Sequence, residues 1–378
     1  MSTACLTSKI GRMFNHRIHN FSAGPAAIPL AVLQKAKDEF LNFQGTGMSI
    51  MEMSHRSKEF EAVLARAIDG VKQVLGVPDD YAILFIQGGA SMQFSMVPMN
   101  LSVPGKKIDI IQTGAWTQKA EKEAKKHTEV NIAASTESEN FMRLPKPEEI
   151  KLTPDAAYVH MCSNNTIFGT EYNWLPDTKG VPLISDMSSN IASREIDVSK
   201  YGLIFAGAQK NLGPSGVTLV IMRKDLAERA DKKLPSMMQY RTYIAENSLY
   251  NTPPTFGIYM LALTMEHIKE TGGLKATEAR NVAKATALYD AIDGSNGYYR
   301  CPVNKADRSR MNVNFRIYKG DEASEALEKQ FVGEAEKAGL SGLKGHRSVG
   351  GLRASIYNAV EQNSINALIQ FMQDFARK

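Results

Sequence analysis

Six short, largely apolar runs alternate along the chain with segments that repeat apolar residues at helical spacing. They are Tyr81 to Ile86, Lys107 to Ile111, Ala156 to Met161, Val181 to Ile184, Leu203 to Ala206 and Val217 to Met222. Strands with one wet face would alternate apolar and polar side chains, whereas these runs ask for burial on both faces, so the pattern predicts a mostly parallel sheet covered by helices. Ahead of the first run, Leu30 to Phe43 and Phe60 to Leu75 carry apolar stripes at 3.6-residue spacing and read as amphipathic helices. After the last run, a stripe at Ile258, Leu261, Met265 and Ile268 is stopped by Gly272-Gly273, and a helix from Leu274 to Ile292 follows. The tail then reads as a strand around Asn312 to Ile317, a helix started by Asp321 and ending near Gly339, a strand at Leu352 to Ile356, and a closing helix with Ile365, Leu368, Ile369, Met372 and Phe375. The expected division is an N-terminal extension over 1–20, a large domain over 21–272 whose first residues can pack on the small domain, and a small α+β domain over 273–378.

A chain of 378 residues with 43% hydrophobic content can bury two unequal cores of this kind. Its apolar runs are far too short to span a membrane, so no membrane partner is expected. The net charge of +5 comes largely from the start: residues 1–20 hold Lys9, Arg12 and Arg17 and no acid, which leaves +2 for the rest. That balance lacks the concentrated basic face of a nucleic-acid binder. The acid-free start leaves room for an organellar presequence. The cysteines Cys5, Cys162 and Cys301 are odd in number and widely spaced, which argues against a disulfide framework or a zinc site and for a reducing, cytoplasmic setting.

Three segments carry chemistry. Lys210 closes the run from Tyr201 and is followed by the turn-forming Asn211-Leu-Gly-Pro-Ser-Gly216. An amine held there against apolar backbone loses hydration, and with it basicity, and so becomes a nucleophile toward carbonyl groups. Gln87-Gly-Gly-Ala-Ser91 lies between a strand and a helical stretch, a place where free backbone amides bind phosphate, although taken alone it is an ordinary capped turn. Asp186 ends the run before Lys210, at the sheet edge where α/β proteins hold ligands. A carboxylate there can keep a pyridine nitrogen protonated and make the ring an electron sink.

Asp186-Met-Ser-Ser189 followed by Ala206-Gly-Ala-Gln-Lys-Asn-Leu-Gly-Pro-Ser-Gly216 resembles the cofactor segment of the phosphoserine aminotransferase family, class V enzymes of fold type I that use pyridoxal 5'-phosphate. Further segments resemble the family in order: Phe21-Ser-Ala-Gly-Pro-Ala26, Met53-Ser-His-Arg56, Cys162-Ser-Asn-Asn-Thr166, Tyr250-Asn-Thr-Pro-Pro-Thr255 and Gly345-His-Arg-Ser-Val-Gly-Gly-Leu-Arg-Ala-Ser-Ile-Tyr357. The similarity runs over about residues 20–378.

The resemblance implies an α/β fold in which a large domain with a mostly parallel seven-stranded sheet, covered by helices, precedes a smaller α+β C-terminal domain. It implies Lys210 as the cofactor-bearing, proton-moving lysine and Asp186 as the partner of the pyridine nitrogen. Trp116 would stack on the ring and Thr166 would lie near its oxygen. Ala90, Ser91 and Gln209 would bind the cofactor phosphate, joined by Asn251 and Thr252 from a second copy, so a homodimer with shared sites is implied. Arg353 would take the substrate α-carboxylate. His346 and Arg347, with His55 and Arg56 across the dimer, would hold the substrate phosphate or distal carboxylate, for which arginine's planar fork is suited. The implied reaction is reversible amino transfer from L-glutamate to 3-phosphohydroxypyruvate in serine biosynthesis, giving O-phospho-L-serine and 2-oxoglutarate.

Two departures stand out, a segment of about twenty residues before the family's usual start and Asn165 where many members carry an acid. The competing readings are another class V enzyme, such as an alanine-glyoxylate or serine-pyruvate transaminase, a cysteine desulfurase, and a cofactor-free binding protein. A desulfurase needs a mobile cysteine, which Cys162 in a strand and Cys301 before Pro302 do not resemble.

Overall fold

A computed structural model describes residues 17–378; most of the N-terminal extension over 1–20 therefore falls outside the described residues, as does Cys5. The described residues begin with β1 (His19–Asn20), α1 (Leu30–Asp38) and α2 (Lys58–Leu75). Ser57 starts α2 by accepting the Phe60 amide, and Gly76 ends it in the left-handed region. The large sheet is built from β2 (Tyr81–Ile86), β3 (Ile108–Gln112), β4 (Val130–Ser135), β5 (Tyr158–Cys162), β6 (Leu183–Asp186), β7 (Leu203–Gly207) and β8 (Thr218–Arg223). Its seven strands lie in the order β2-β8-β7-β6-β5-β3-β4. Only β8 is reversed, antiparallel to both β2 and β7, and the other pairings are parallel.

Every residue of β2, β3, β5, β6 and β7 is buried, which is why these segments read as continuous apolar runs. Alternate residues enter two cores. Ile83, Phe85, Val159, Met161, Ile204 and Ile221 face α1, α2 and α6 (Thr255–Glu270). Leu84, Ile86, Ile110, Tyr158, Phe205 and Val220 face α3 (Gly89–Leu101), α4 (Ala115–Ala124) and α5 (Tyr240–Ala245).

A third core gathers α7 (Gly273–Asp293), α8 (Glu325–Lys337) and α9 (Gln362–Ala376) on a small antiparallel sheet of β9 (Tyr299–Arg300), β10 (Asn312–Lys319), β11 (Glu322–Ala323) and β13 (Leu352–Ser355). Phe21 is fully buried in it, and β1 pairs in parallel with β12 (Leu340–Ser341). His19 and Asn20, counted above with the extension, are thus strand residues, and their side-by-side pairing with a distant segment leaves no local signature.

Three elements differ from expectation for identifiable reasons. The edge strand β4 was not among the six runs because its first residues are only half-buried. The strand expected at Val181 begins at Leu183, since Pro182 has no amide to donate and the Val181 amide turns back to Thr178. The helix expected from Asp321 starts at Glu325: Gly320 turns β10 into β11, and Ser324 caps the helix by accepting the Leu327 amide. Among the described residues no helix is long and apolar enough to cross a membrane, and no cluster of three metal-ligating side chains occurs.

Candidate active site

The carboxyl ends of β2, β3, β5, β6 and β7 open on one edge of the sheet, the edge at which α/β folds hold ligands. Beyond β2, Gly88 turns with φ of 89° and α3 begins at Gly89. A Cβ on Gly88 would lie 2.6 Å from the Met92 Cβ, so the turn requires glycine twice over. The first intrahelical acceptor is the Gly88 carbonyl, which takes the Met92 amide, so the amides of Gly89, Ala90 and Ser91 remain available, with no acid in the first turn to compete. Gln87 reaches the loop after α5: its side chain accepts from Asn251 Nδ2 at 3.1 Å and donates to the Thr252 carbonyl at 3.1 Å. Asn251 and Thr252 are thus tied to the phosphate-type turn of their own chain.

Thr166, in the loop after β5, joins two cations. Its hydroxyl accepts from Lys210 Nζ at 2.6 Å, and its carbonyl accepts from the Arg353 guanidinium at 3.1 Å. The loop is held by the small sheet, since Asn312 accepts from Asn164 at 2.8 Å and Asn314 donates to the Ile167 carbonyl at 2.7 Å. Lys210 Nζ also lies 5.8 Å from the centroid of the Trp116 ring. Gln209, beside it, ties the N-terminal segment by accepting the Ala26 amide on its carbonyl.

Asp186 ends β6, directly beside Cys162 of β5, and accepts the Ser188 amide at 2.9 Å. Burial raises its pKa despite that bond and the nearby Lys210 charge. The Lys210 amine moves the other way: desolvation lowers it to about 8, against the upward pull of Asp186. Burial likewise lowers the pKa of Arg353, whose Nε has no partner. The Trp116 Nε1 and Thr113 Oγ1 atoms are buried without partners too.

His346 and Arg347 lie on the turn between β12 and β13, where His346 Nδ1 pairs with Ser348 Oγ at 2.7 Å and Arg347 is exposed. Burial first, then Arg353, Arg347 and Lys119, disfavour protonation of His346. His55 and Arg56 are not part of this assembly: among the described residues neither is hydrogen-bonded or ion-paired to it, Arg56 is exposed, and His55 Nε2 is buried without a partner.

Pyridoxal 5'-phosphate fits these residues. The free amides at the start of α3 suit its phosphate, the buried carboxylate of Asp186 suits a ring cation, the Trp116 face suits an aromatic ring, and the weakly basic Lys210 suits its aldehyde. A cavity of about 560 Å3 lies elsewhere, lined by Asn211 and by residues of α6 and α7. Its cations are already committed, Arg280 to Thr271 and Thr277, and Lys284 to the carbonyls of Ile356, Tyr357 and Val360.

Asn165, noted in the sequence as a departure from the family, and Asn211 both hold the site. Asn165 is buried, donates to the Thr113 carbonyl at 2.7 Å and accepts the amides of Ile167 and Phe168. It passes so close to Gly114 that a Cβ there would lie 2.1 Å from Asn165 Nδ2. One amide thereby fixes the turn carrying Trp116 against the loop carrying Thr166. An acid at 165 can donate to Thr113 only when protonated. Asn165→Asp is expected to cost about 1–3 kcal/mol at pH 8 and less at pH 5. Denaturant midpoints at the two pH values measure this, and equal midpoints in variant and parent would remove the Thr113 bond from the account. Asn211 accepts the Asn358 amide at 3.0 Å and so ties the residue after Lys210 to the small sheet's exit, a link that only its position next to Lys210 hinted at.

Residues 18–368 match the family described as Aminotransferase class-V. The phosphoserine aminotransferase of Niallia circulans is 54% identical over 361 residues, covering 96% of this chain and 98% of the relative. The solved phosphoserine aminotransferase from Bacillus circulans subsp. alkalophilus superposes with a TM-score of 0.93 at 54% identity, covering 96% of this chain and 99% of that one. A PLP-bound phosphoserine aminotransferase from Trichomonas vaginalis gives 0.90 at 42% identity, with 94% and 100% coverage. With so much of both chains aligned at this identity, the chain belongs to the class-V aminotransferases and, within them, to the phosphoserine aminotransferase family.

Proposed function

We propose that the protein is a pyridoxal 5'-phosphate-dependent transaminase that moves the amino group of L-glutamate reversibly to 3-phosphohydroxypyruvate, giving O-phospho-L-serine and 2-oxoglutarate on the route to serine. The observation that carries the reading is the bridge at Thr166, which holds a weakly basic lysine and a half-buried, half-satisfied arginine on one residue near a buried carboxylate. When bound, the cofactor supplies the electron sink for charge left on the substrate α carbon. Lys210 would hold it, and Asp186 would hold the positive charge of its ring nitrogen. Trp116 would cover one ring face and Thr166 would sit at the ring's edge. The amides of Ala90 and Ser91, with Gln209, would take the phosphate.

A lysine with a pKa near 8 is partly neutral at physiological pH, so Lys210 Nζ would be able to accept and hold the α proton. Arg353, with an unpaired Nε, would orient the α-carboxylate. His346 and Arg347 would hold the far anion, whether phosphate or γ-carboxylate.

We place His55, Arg56, Asn251 and Thr252 at the site of a second copy, as a homodimer requires. Leu41, Met48 and Met51 support a covered face, being 81%, 43% and 50% exposed in a single chain just before His55. The two sheets support division into domains over 21–272 and 273–378, with Phe21 packed on the second. Cys162 and Cys301 are free, which supports a reducing, cytoplasmic setting.

The test compares 3-phosphohydroxypyruvate with unphosphorylated hydroxypyruvate as acceptor of the glutamate amine, in the parent and in Arg347→Ala. The variant is expected to lose about 10- to 100-fold in kcat/KM for O-phospho-L-serine and far less for glutamate. Equal losses would argue for another class V substrate.

A further inference from the structure

Trp116 and Lys119 stand three residues apart on α4 and therefore on one face of it. The Lys119 ammonium sits 4.7 Å from the Trp116 ring centroid, and the Lys210 ammonium sits 5.8 Å from the same centroid. Two cations share one indole, and neither has an acid within ion-pairing distance among the described residues. The acid one turn further along α4, Glu123, is taken by Lys126 at 2.6 Å and Ser95 at 3.0 Å. Glu121 is taken by Lys125 and Gln112.

Lys119 also acts on the loop opposite. Burial first, then Arg353 and Arg347, and last Lys119 disfavour protonation of His346, so the Lys119 charge is near the turn assigned above to the far end of the substrate. The positive charge gathered there exceeds what the site's own acid can balance. Asp186 lies at the floor of the sheet edge, beside Cys162 and not in the 345–351 turn. The functional reading uses Arg353 for a carboxylate and the start of α3 for the cofactor phosphate, which leaves Lys119, His346 and Arg347 of this chain, beside His55 and Arg56 of a second copy, for one remaining anion. A carboxylate brings one charge to these groups, whereas a phosphate brings close to two and presents three acceptor oxygens. Lysine is a compact charge on a flexible four-carbon stem, and its perch on an aromatic face is weak and readily left.

We infer that Lys119 is a substrate-binding residue for the distal phosphate, leaving the Trp116 face to meet the dianion and so setting the preference for phosphate over carboxylate. The inference rests on the transaminase reading and adds to it a phosphate ligand contributed by the cofactor-stacking helix of the same chain.

The experiment uses the holoenzyme of the parent, Lys119→Met and Lys119→Arg. Methionine keeps the apolar stem on Trp116 and removes the charge, and arginine restores the charge. KM and kcat are measured for 3-phosphohydroxypyruvate and for 2-oxoglutarate, and calorimetry measures inorganic phosphate binding to the same preparations. Lys119→Met is expected to raise KM for 3-phosphohydroxypyruvate and weaken phosphate binding by about tenfold to thirtyfold, with kcat and KM for 2-oxoglutarate changed by less than about threefold. Lys119→Arg recovers most of the loss. Equal losses for both acceptors, or unchanged phosphate binding in an active enzyme, would assign Lys119 to packing on Trp116 and overturn the inference alone. A parent enzyme with no activity on 3-phosphohydroxypyruvate would overturn the functional reading, and this inference with it.

Discussion

Lys210→Met is expected to abolish amino transfer and, at neutral pH, to stabilise the cofactor-free protein. The activity loss combines removal of the cofactor's anchor with removal of the group that moves the α proton, and at least about 10^4-fold is expected. Borohydride should no longer fix the cofactor to the chain. The gain in stability follows from the lowered pKa: folding shifts Lys210 from 10.5 to about 8, so the folded state holds its proton less tightly than the unfolded chain does. Below pH 8 the whole penalty of burying the charge is present. It fades as pH rises from 8 toward 10.5, where the unfolded lysine also loses its proton. Methionine carries no such penalty but forfeits the bond to Thr166. The net advantage should be on the order of 2 kcal/mol at pH 7 and vanish near pH 11. Thermal melts of parent and variant across that range measure it. A variant within about tenfold of parental activity would remove Lys210 from its role, and a constant stability difference at all pH values would remove desolvation as the cause.

That trade-off is written into the same residues that made the fold readable. β2, β3, β5 and β7 lie within one or two residues of the expected runs because burial on both faces leaves no polar position to blur them. The edge strand β4 and the two-residue β1 lack this constraint, and a parallel pairing of His19 and Asn20 with Leu340 and Ser341 has no local signature. At the site, an acid and an amine closing neighbouring apolar runs singled out Asp186 and Lys210; Asp186 does end β6, whereas Lys210 lies three residues beyond the end of β7, in the turn. Thr166, Trp116, Arg353 and the His346–Arg347 turn came from resemblance, and the fold brings them to the same sheet edge. Asn165 stood out as a departure but its partners stayed illegible, and Lys119 stayed illegible altogether. The use of Asn165 depends on loop carbonyls and amides whose directions no spacing encodes. Lys119 is an exposed lysine on a helix otherwise rich in charge, and only its position over Trp116 separates it from a solvated neighbour such as Lys122.

Asp186→Asn is expected to lower kcat by about 10^2- to 10^4-fold while leaving the fold intact, the range that follows from leaving one charge of a buried pair without its partner. The side chain is 4% exposed, and its acceptance of the Ser188 amide leaves capacity for a further donor. Burial raises its pKa, so in the cofactor-free protein stability is lost as pH rises through the folded-state value and the penalty persists at neutral pH. A cation placed against the carboxylate relieves that penalty, and the relief is what a protonated ring nitrogen would draw upon. Asparagine keeps the shape and removes both the penalty and the attraction, so the cofactor-free variant should melt higher than the parent at pH 7 while its loaded form works poorly. A second consequence concerns Lys210, because the Asp186 charge is the largest influence holding the amine's pKa up. Without it the amine falls below 8, and the ascending limb of the rate profile, which needs the neutral amine, should move toward acid. Single-turnover rates with L-glutamate between pH 6 and 10 read both effects. A variant with a near-parental rate and an unmoved profile would sink the pairing of Asp186 with the ring, whereas a slow variant with a shifted profile would place both charges in one coupled site.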